Sequence, residues 1–243
     1  MPPTPQQDAW IERILAVRPP SRDAATDPHP AAQETDAAHA LEAKIAARAG
    51  DADVVAAAST LLEAAGKAEP ALTEAVGSLA SACGGRMIGL PFRRKSPDSL
   101  RRKIATDVIE LGLAPEDAAR DICDAVRYTA CFEPDRYAAG VTEILASLRR
   151  HGFTIRRLKN AWAQEIAYKG INVQVQDPNG QLFELQFHTP ASFKAKDEDA
   201  HPIYERMRLL EPSSPAWAAL DARQMEIFAQ VPRPPGAETI REV

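Results

Sequence analysis

Two segments of the chain hold most of the side chains that are able to do chemistry. The first is the cationic segment 93–103, which contains six basic residues and a single acid. The second is the alternating run 183–189, in which Glu184, Gln186 and His188 fall on one face and apolar residues on the other. A cationic loop that leads into a helix start is suited to polyphosphate, and a carboxylate beside amide and imidazole groups is suited to a metal and a nucleotide. Together the two segments indicate an enzyme that moves phosphoryl groups.

The cationic segment is predicted to run directly into the N-terminus of a helix. Ser96 is a helix-capping residue type, and Pro97 is tolerated in the first turn, where its missing N–H would be unbonded anyway. The free N–H groups and the positive dipole at such an end favour anions. Arg93 and Lys95 before the cap, and Lys103 further along the helix, add forked and point-charge donors for phosphate oxygens. The alternative is a basic helix face that is simply solvated.

A β-hairpin is predicted over 170–189, with its turn at 177–180. Its polar face consists of Asn172, Gln174, Gln176, Glu184, Gln186 and His188. One carboxylate among amides suits Mg²⁺, which takes one or two carboxylates together with phosphate oxygens. A second acid is expected from a neighbouring strand, and Asp124 at the start of a predicted strand is the first candidate, with Asp121 as the fallback. The alternative is an ordinary amphipathic hairpin.

Tyr168 lies two residues before Gly170, so an aromatic ring and a close backbone approach coincide at the edge of the predicted hairpin. This pair is able to stack a purine base, although a tyrosine that packs in the core is the alternative. The sequence contains neither a Gly-x-x-x-x-Gly-Lys-Ser/Thr loop nor a kinase-type glycine-rich loop. If the protein handles ATP, it therefore uses neither of the common phosphate cradles.

The overall composition limits the kinds of molecule that the protein is expected to bind. A net charge of −5 and a pI near 5.6 do not favour a nucleic-acid duplex, so the cationic segment is suited to a small polyanion. The three cysteines include no Cys-x-x-Cys pair and therefore no zinc-site spacing. No apolar run approaches the roughly 18 residues of a transmembrane helix, and the N-terminus lacks the features of a signal peptide. We expect a protein that acts in the cytoplasm without a membrane partner, and delivery as a secreted effector stays open.

Changes in composition and in the hydrophobic pattern along the chain predict four regions. They are an N-terminal segment with a Pro/Ala-rich linker (1–34), an Ala-rich helical support (35–85), the main domain (86–231) and a Pro-rich tail (232–243). Within the support, helix breaks are predicted near Gly50, Gly66 and Pro70. The order of elements in the main domain predicts an α+β fold, with a mixed β-sheet of about four to five strands flanked by helices.

In chain order, these segments resemble the motifs of the RelA/SpoT-type synthetase domain of alarmone synthetases and related toxins. The resemblance is carried by residues 93–103, 124–129, 168–172, 184–189 and 198–205. It covers roughly 86–208, about half of the chain. Asn172 stands where the family has His, and His188 stands where the family has Arg. With these departures, the motifs are more similar to those of the small toxic synthetases. The identity of the acceptor base, adenine or guanine, is therefore left open.

The resemblance implies a nucleotidyltransferase-like fold that transfers the β,γ-pyrophosphate of ATP to the ribose 3′-hydroxyl of a purine nucleotide and releases AMP. It implies that the ATP phosphates are held by Arg93, Lys95, Ser96, Ser99 and Lys103. It assigns Mg²⁺ to Asp124 and Glu184, and the acceptor to Tyr168, Lys169, Asn172 and His201. The implied catalytic set is Glu184, Asp124, Arg127, Gln186 and His188. In that set, Glu184 or the pair of Gln186 and His188 orients the acceptor hydroxyl and takes its proton.

Two other functions stay open at this point. The first is a toxin of the same fold that pyrophosphorylates the 3′ end of tRNA, for which Arg149, Arg150, Arg156 and Arg157 offer basic surface. The second is a catalytically inactive nucleotide-binding module, against which the intact Glu184 and the cationic segment argue. A toxin would also have a neutralising antitoxin or immunity protein as its partner.

Overall fold

The computed structural model describes residues 30–207, 210 and 214–241. The predicted N-terminal segment and linker, 1–34, therefore lie largely outside the described residues. The helices of the described part are α1 (Pro30–Arg48), α2 (Ala52–Ala82), α3 (Pro97–Leu111), α4 (Pro115–Arg120), α5 (Tyr137–Arg150), α6 (Pro190–Lys194), α7 (His201–Met207) and α8 (Pro215–Ala229). None of these helices has both the length and the hydrophobicity that crossing a membrane requires.

Five strands of the described part form one mixed sheet. They are β1 (Arg86–Ile88), β2 (Arg127–Cys131), β3 (Thr154–Asn160), β4 (Ile171–Gln176) and β5 (Leu182–His188). Their order is β1-β2-β5-β4-β3. The pair β2–β5 is parallel, and the other neighbouring pairs are antiparallel. The predicted α+β class with a mixed sheet of this size is confirmed.

The hairpin predicted from the alternating pattern is formed by β4 and β5. The carboxylate of Asp177 accepts hydrogen bonds from the backbone N–H groups of Asn179 (2.9 Å) and Gln181 (2.8 Å). Gly180 has a φ of 94°, a left-handed conformation that glycine adopts without steric strain. This turn sets the register in which Val173 faces Leu185 and Asn172 faces Gln186. The apolar and polar residues of the hairpin consequently fall on opposite faces of the sheet.

The apolar face of the sheet shares one hydrophobic core with the helices. Val173, Leu185 and Phe187 are completely buried in the same cluster as Val141 and Ile144 of α5. The hydroxyl of Tyr137 in α5 also donates a hydrogen bond to the backbone carbonyl of Phe187 (2.9 Å). With one face covered in this way, polar residues of the strands are restricted to the other face.

Helix α2 is continuous, so the predicted breaks near Gly66 and Pro70 are wrong, whereas the break near Gly50 is present between α1 and α2. Val54, Ala65 and Val76 of α2 are fully buried in the same core as the sheet. Tertiary packing of this stripe outweighs the cost of about 3 kcal/mol that a proline imposes inside a helix. The division into a support (35–85) and a main domain (86–231) stays a prediction.

The chain after β5 does not form the single interrupted helix predicted over 192–210. Thr189 and Ser192 form a capping box that begins the short α6, and a π-helical turn, Ala195–Asp199, separates it from α7. Ala195 and Ala200 pack against Phe228 of α8, with Tyr168 in the same cluster. These elements therefore cover the end of β5 that carries His188.

Candidate active site

The cationic segment is held beside the start of β2 by backbone hydrogen bonds. Lys95 N–H donates to the carbonyl of Ala125 (3.1 Å), and Arg127 N–H donates to the carbonyl of Arg93 (2.7 Å). Helix α3 then begins as the sequence predicts, because the Ser96 hydroxyl accepts the backbone N–H of Ser99 at 3.2 Å. The two serine hydroxyls also lie 2.9 Å apart. The predicted phosphate-binding helix start and the predicted acidic segment are thus neighbours.

Asp124 lies at the centre of a cluster of cations. Its carboxylate accepts hydrogen bonds from Lys95 Nζ (2.7 Å), Lys103 Nζ (3.0 Å) and Arg127 Nη2 (3.0 Å), and the residue is 8% exposed. Burial opposes ionisation, but Lys103, Lys95 and Arg127 together hold the pKa of Asp124 well below its usual range. Asp124 is therefore an ionised carboxylate that keeps three cations in place.

Asp124 lies in the turn before β2, not at the start of a strand as predicted, because β2 begins only at Arg127. The neighbouring residues Cys123 and Ala125 are buried, which produced the strand-like pattern in the sequence. The fallback candidate Asp121 is the C-terminal cap of α4. Asp121 therefore ends a helix, whereas Asp124 contacts the lysines of the cationic segment, so Asp124 is favoured as the acidic residue of the site.

Arg127 joins the two acidic residues of the site. It is the register partner of Glu184 on the parallel strand β5, and its Nε donates to the Glu184 carboxylate while Nη2 donates to Asp124. The described residues contain no group of three or more His, Cys, Asp or Glu side chains that could hold a metal ion. Two carboxylates joined through one guanidinium nevertheless fit Mg²⁺, since this ion takes its other ligands from phosphate oxygens and water.

Strand register collects the polar residues into two rows on the face opposite the core. The first row is Arg127, Glu184, Gln174 and Arg157, and the second is Thr129, Gln186, Asn172 and Lys159. Lys159 was missed by the sequence analysis, although its spacing of two residues from Arg157 on a predicted strand was an available signal. Burial, and then the positive charge of Arg157, lower the pKa of Lys159 to about 8. Lys159 is still largely protonated at pH 7, so it adds a cation beside Arg157 that the sequence analysis did not name.

His188 is completely buried, which corrects the expectation that it takes a proton from the acceptor. Its Nδ1 lies 2.9 Å from the Ser192 hydroxyl and its Nε2 lies 2.9 Å from the Tyr168 hydroxyl. Burial, and then the charge of Lys196, lower the pKa of His188 to about 3, so the ring is neutral near pH 7. With Nε2 protonated, one chain of hydrogen bonds runs from Ser192 through His188 and Tyr168 to Asn172. His188 positions Tyr168 and has no free nitrogen for a substrate.

We expect His188 to make the protein less stable in mild acid. Its folded pKa is about 3 and its ordinary value is 6.5, so below pH 6.5 the unfolded chain binds a proton that the folded chain does not. Stability therefore falls as the pH falls, by about 2 kcal/mol from this residue between pH 6.5 and about pH 5. Urea unfolding of wild type and His188→Gln at both pH values measures this difference. An equal loss in both proteins would assign the acid sensitivity to other groups.

The other predicted acceptor residues differ in how they are used. The Tyr168 hydroxyl donates to Asn172 Oδ1 at 2.7 Å, and its half-buried ring makes edge contacts with His188 and Phe228. Lys169 Nζ donates to the carbonyls of Gln164 (3.1 Å) and Ile166 (2.8 Å), so it braces its own loop. His201 is exposed at the start of α7. Tyr168 and Asn172 are therefore joined to the site, whereas the structure shows no such link for Lys169 or His201.

Gln186 combines deep burial with an unsatisfied acceptor. It is 3% exposed, and its Oε1 accepts no hydrogen bond from the described part of the protein. It lies on β5 between Glu184 and His188, beside Asn172 of β4. A buried carbonyl oxygen without a donor is costly, so this atom calls for a donor such as a water molecule or a ligand hydroxyl.

Arg93, for which phosphate binding is predicted, is paired with helix α2 in this structure. Its Nε donates to the carboxylate of Glu69 in α2, and its Nη1 donates to the carbonyl of Leu90 at 2.7 Å. Glu69 is 8% exposed and also accepts the Thr73 hydroxyl at 2.6 Å. The guanidinium of Arg94 lies against the same helix, where a Cβ at Gly66 would come within 3.0 Å of its Nη2. Helix α2 thus holds the cationic segment from behind.

We expect Arg93→Met to lower stability and to leave Mg²⁺-ATP affinity little changed. The midpoint of urea unfolding should fall, because the buried carboxylate of Glu69 loses the cation that pairs with it. Lys95→Met is the matched variant, and it should weaken ATP binding about tenfold. Urea unfolding and isothermal titration calorimetry distinguish the two. An equal loss of ATP affinity in both variants would return Arg93 to the phosphate-binding set.

The comparisons with known proteins concern the fold. No protein-family model matches the chain, and no curated protein matches it. The Type VI effector Tas1, solved in complex with its immunity protein, matches with a TM-score of 0.51 at 20% identity, over 70% of this chain and 94% of that chain. This chain therefore has the fold of that effector structure, and the resemblance drawn from the motifs is confirmed at the level of the fold.

Two further solved structures are similar over the same share of the chain. A GTP pyrophosphokinase family protein from Streptococcus pneumoniae has a TM-score of 0.47 at 16% identity, over 70% of this chain and 84% of that chain. The small alarmone synthetase 1 from Bacillus subtilis has a TM-score of 0.48 at 13% identity, over 70% of this chain and 86% of that chain.

Proposed function

We propose that this chain is an ATP-dependent diphosphotransferase. It transfers the β,γ-pyrophosphate of ATP to the ribose 3′-hydroxyl of a purine nucleotide and releases AMP. The observation that carries the proposal is the joined pair of carboxylates, Asp124 and Glu184, with Arg127 between them and Lys95 and Lys103 beside them. This arrangement pairs acidic groups for a metal with cations for phosphate oxygens, which is what phosphoryl transfer requires of a protein.

On the donor side, the chain binds and orients the triphosphate of ATP. Lys95 and Lys103 exchange part of their interaction with Asp124 for phosphate oxygens, and the hydroxyls of Ser96 and Ser99 at the capped start of α3 add further donors. Asp124 and Glu184 would hold Mg²⁺, which would neutralise negative charge on the triphosphate. Arg127, between the two carboxylates, is placed to neutralise the charge that develops during transfer.

On the acceptor side, Glu184 takes the proton of the 3′-hydroxyl in this proposal. The acceptor oxygen forms a bond to the β-phosphorus while the bond from that phosphorus to the bridging α,β-oxygen breaks, and AMP leaves with that oxygen. Tyr168 stacks the acceptor base, and its hydroxyl is fixed by His188 and Asn172. Gln186 accepts a hydrogen bond from an acceptor hydroxyl, which satisfies its buried Oε1.

A tRNA 3′ end is the second candidate for the acceptor. The observation that favours it is the continuation of both polar rows to β3, the edge strand, where Arg157 and Lys159 extend the cationic surface. Binding of an RNA backbone there would weaken steeply with salt. The likeness of fold to an effector solved with its immunity protein supports a further part of the proposal, namely that this chain is a toxin-type effector with a neutralising protein partner.

The test is a transfer assay with purified protein, Mg²⁺ and ATP labelled at the γ-phosphate. Separate reactions contain AMP, ADP, ATP, GDP, GTP and deacylated tRNA. Label that moves to one acceptor with stoichiometric release of AMP is the expected result, and it names the acceptor as well. Release of inorganic phosphate alone, or ATP binding without transfer to any acceptor, would contradict the proposal.

A further inference from the structure

Lys196 is a half-buried cation that the proposed mechanism does not use. It lies in the π-helical turn Ala195–Asp199, and its Nζ is 5.4 Å from the centroid of the Phe193 ring. Within the described residues its ammonium has no ion pair and no hydrogen bond to a carboxylate. Lys194 in the same segment is a contrast, since its Nζ contacts both carboxylate oxygens of Asp199 at 2.7 and 2.8 Å. Lys194 is a solvated helix residue, and Lys196 is turned toward the protein.

Two aromatic rings connect Lys196 to the predicted base-stacking residue Tyr168. The Phe193 ring beneath its ammonium is 6.0 Å from the His188 ring, which in turn contacts Tyr168. Burial, and then the positive charge of Arg127, lower the pKa of Lys196, whereas the charges of Asp197 and Glu184 raise it. The ring contacts place Lys196 near the end of the site that holds His188 and Tyr168. A π-helical turn often occurs at functional sites, because its extra residue redirects a side chain.

The donor phosphates already have their cations at the other end of the site. Lys95 and Lys103 bind the carboxylate of Asp124. Lys95 directly precedes the capped start of α3, and Lys103 lies within that helix. A further cation at the end of the site that holds His188 and Tyr168 therefore faces a different anionic group. An ammonium donates hydrogen bonds and accepts none, so its partner is an oxygen that carries negative charge.

The unsatisfied oxygen of Gln186 is an independent indication that a molecule binds at this end. Gln186 lies on β5 next in the alternation after Glu184, and its buried Oε1 requires a donor such as a ribose hydroxyl. A nucleotide whose hydroxyl meets Glu184 and Gln186 carries its 5′-phosphate within the same small molecule. Gln186 lies two residues before His188 on β5, so the ammonium of Lys196 near the His188 ring is suited to that phosphate.

We propose that Lys196 determines acceptor specificity by binding a 5′-phosphate oxygen of the nucleotide whose 3′-hydroxyl is attacked. The inference rests on the proposed function, since it assumes a nucleotide acceptor at the Glu184 end. The same phosphate chemistry is present in a free mononucleotide and in the last nucleotide of an RNA chain. Acceptors with this phosphate are bound in preference to nucleosides, which lack it.

The experiment is isothermal titration calorimetry of wild type and Lys196→Met, with Mg²⁺ and α,β-methylene-ATP present to fill the donor side without reaction. The titrants are ADP, GDP, adenosine, guanosine and a short RNA that ends in CCA. Lys196→Met should weaken binding of a phosphorylated acceptor about tenfold and leave nucleoside binding unchanged, because a charge-assisted hydrogen bond is lost only with the phosphate. Lys194→Met is the matched control and should bind like wild type. Lys196→Arg should retain most of the affinity.

Each outcome has a definite meaning. A selective loss for ADP or GDP assigns the phosphate to a mononucleotide, and a selective loss for the RNA assigns it to the terminal nucleotide. Equal losses for nucleosides and nucleotides, no loss for any titrant, or no binding of any titrant by wild type would overturn the inference. Binding with the selective loss but without transfer in the radiolabel assay would contradict the proposed function alone. Thermal unfolding of the variants confirms that each of them is folded.

Discussion

Glu184→Gln should abolish pyrophosphate transfer while the protein stays folded. We expect a decrease in kcat of at least about a thousandfold, because the amide neither takes the acceptor proton nor provides a charged metal ligand. The fold should tolerate the change, since the substituted side chain has the same shape and Arg127 keeps its hydrogen bond to Asp124. The measurement is the single-turnover rate of label transfer with saturating ATP and acceptor, together with the thermal midpoint of unfolding.

Glu143→Gln is the matched control for this substitution. Glu143 also pairs with an arginine, Arg136, but both side chains are exposed on the surface. Its loss should leave the transfer rate unchanged, because the Arg136–Glu143 pair is remote from the joined carboxylates of the site. A Glu184→Gln protein that keeps more than about a tenth of the wild-type rate would refute the assignment of Glu184 as proton acceptor and metal ligand.

Asp124→Asn should destabilise the folded protein as well as stop the reaction. Removal of the charge leaves Lys95, Lys103 and Arg127 without the carboxylate that they share. Loss of one partner of a buried pair typically costs 3–5 kcal/mol, and because these cations are partly exposed we expect about 3 kcal/mol here. Urea unfolding at pH 7 measures the loss, and calorimetry with Mg²⁺-ATP measures the accompanying loss of metal-dependent binding.

The pH dependence of this effect has a defined sign. The pKa of Asp124 is lower in the folded protein than in the unfolded chain, so its contribution to stability is present above the unfolded value and is lost as acid protonates it. The stability difference between wild type and Asp124→Asn should therefore be full at pH 7 and smaller near pH 3. Asp117→Asn, which removes an exposed pair with Arg120, is the control and should change stability by less than about 1 kcal/mol. A difference that stays constant with pH would count against the charged role of Asp124.

Local structure was predictable from the sequence because it depends on short-range pattern and residue chemistry. The alternation in 170–189 predicted the β4–β5 hairpin, and the Ser96-Pro97 pair predicted the start of α3. The class of the sheet followed from the order of such elements. The same reasoning failed at Pro70, because a local preference of about 3 kcal/mol against proline in a helix is smaller than the burial of a long apolar stripe.

The composition of the candidate site was predictable in part. Glu184, Arg127 and Asp124 were named from their segments, and the fold brings them together through the parallel pairing of β2 with β5. That pairing joins residues far apart in the chain, and no local pattern specifies which cation meets which carboxylate. The catalytic and binding roles given to these residues stay predictions.

The sequence by itself determined the types of groups available, the segments that carry them and the faces on which they alternate. Only the tertiary structure decided their partners: Arg93 pairs with Glu69, His188 is buried behind Tyr168, and the ammonium of Lys196 lies over the Phe193 ring. The physical reason is that burial and charge pairing depend on distances between elements. A side chain that looks like a ligand in the sequence becomes a brace, a positioning group or a substrate contact according to what packs against it.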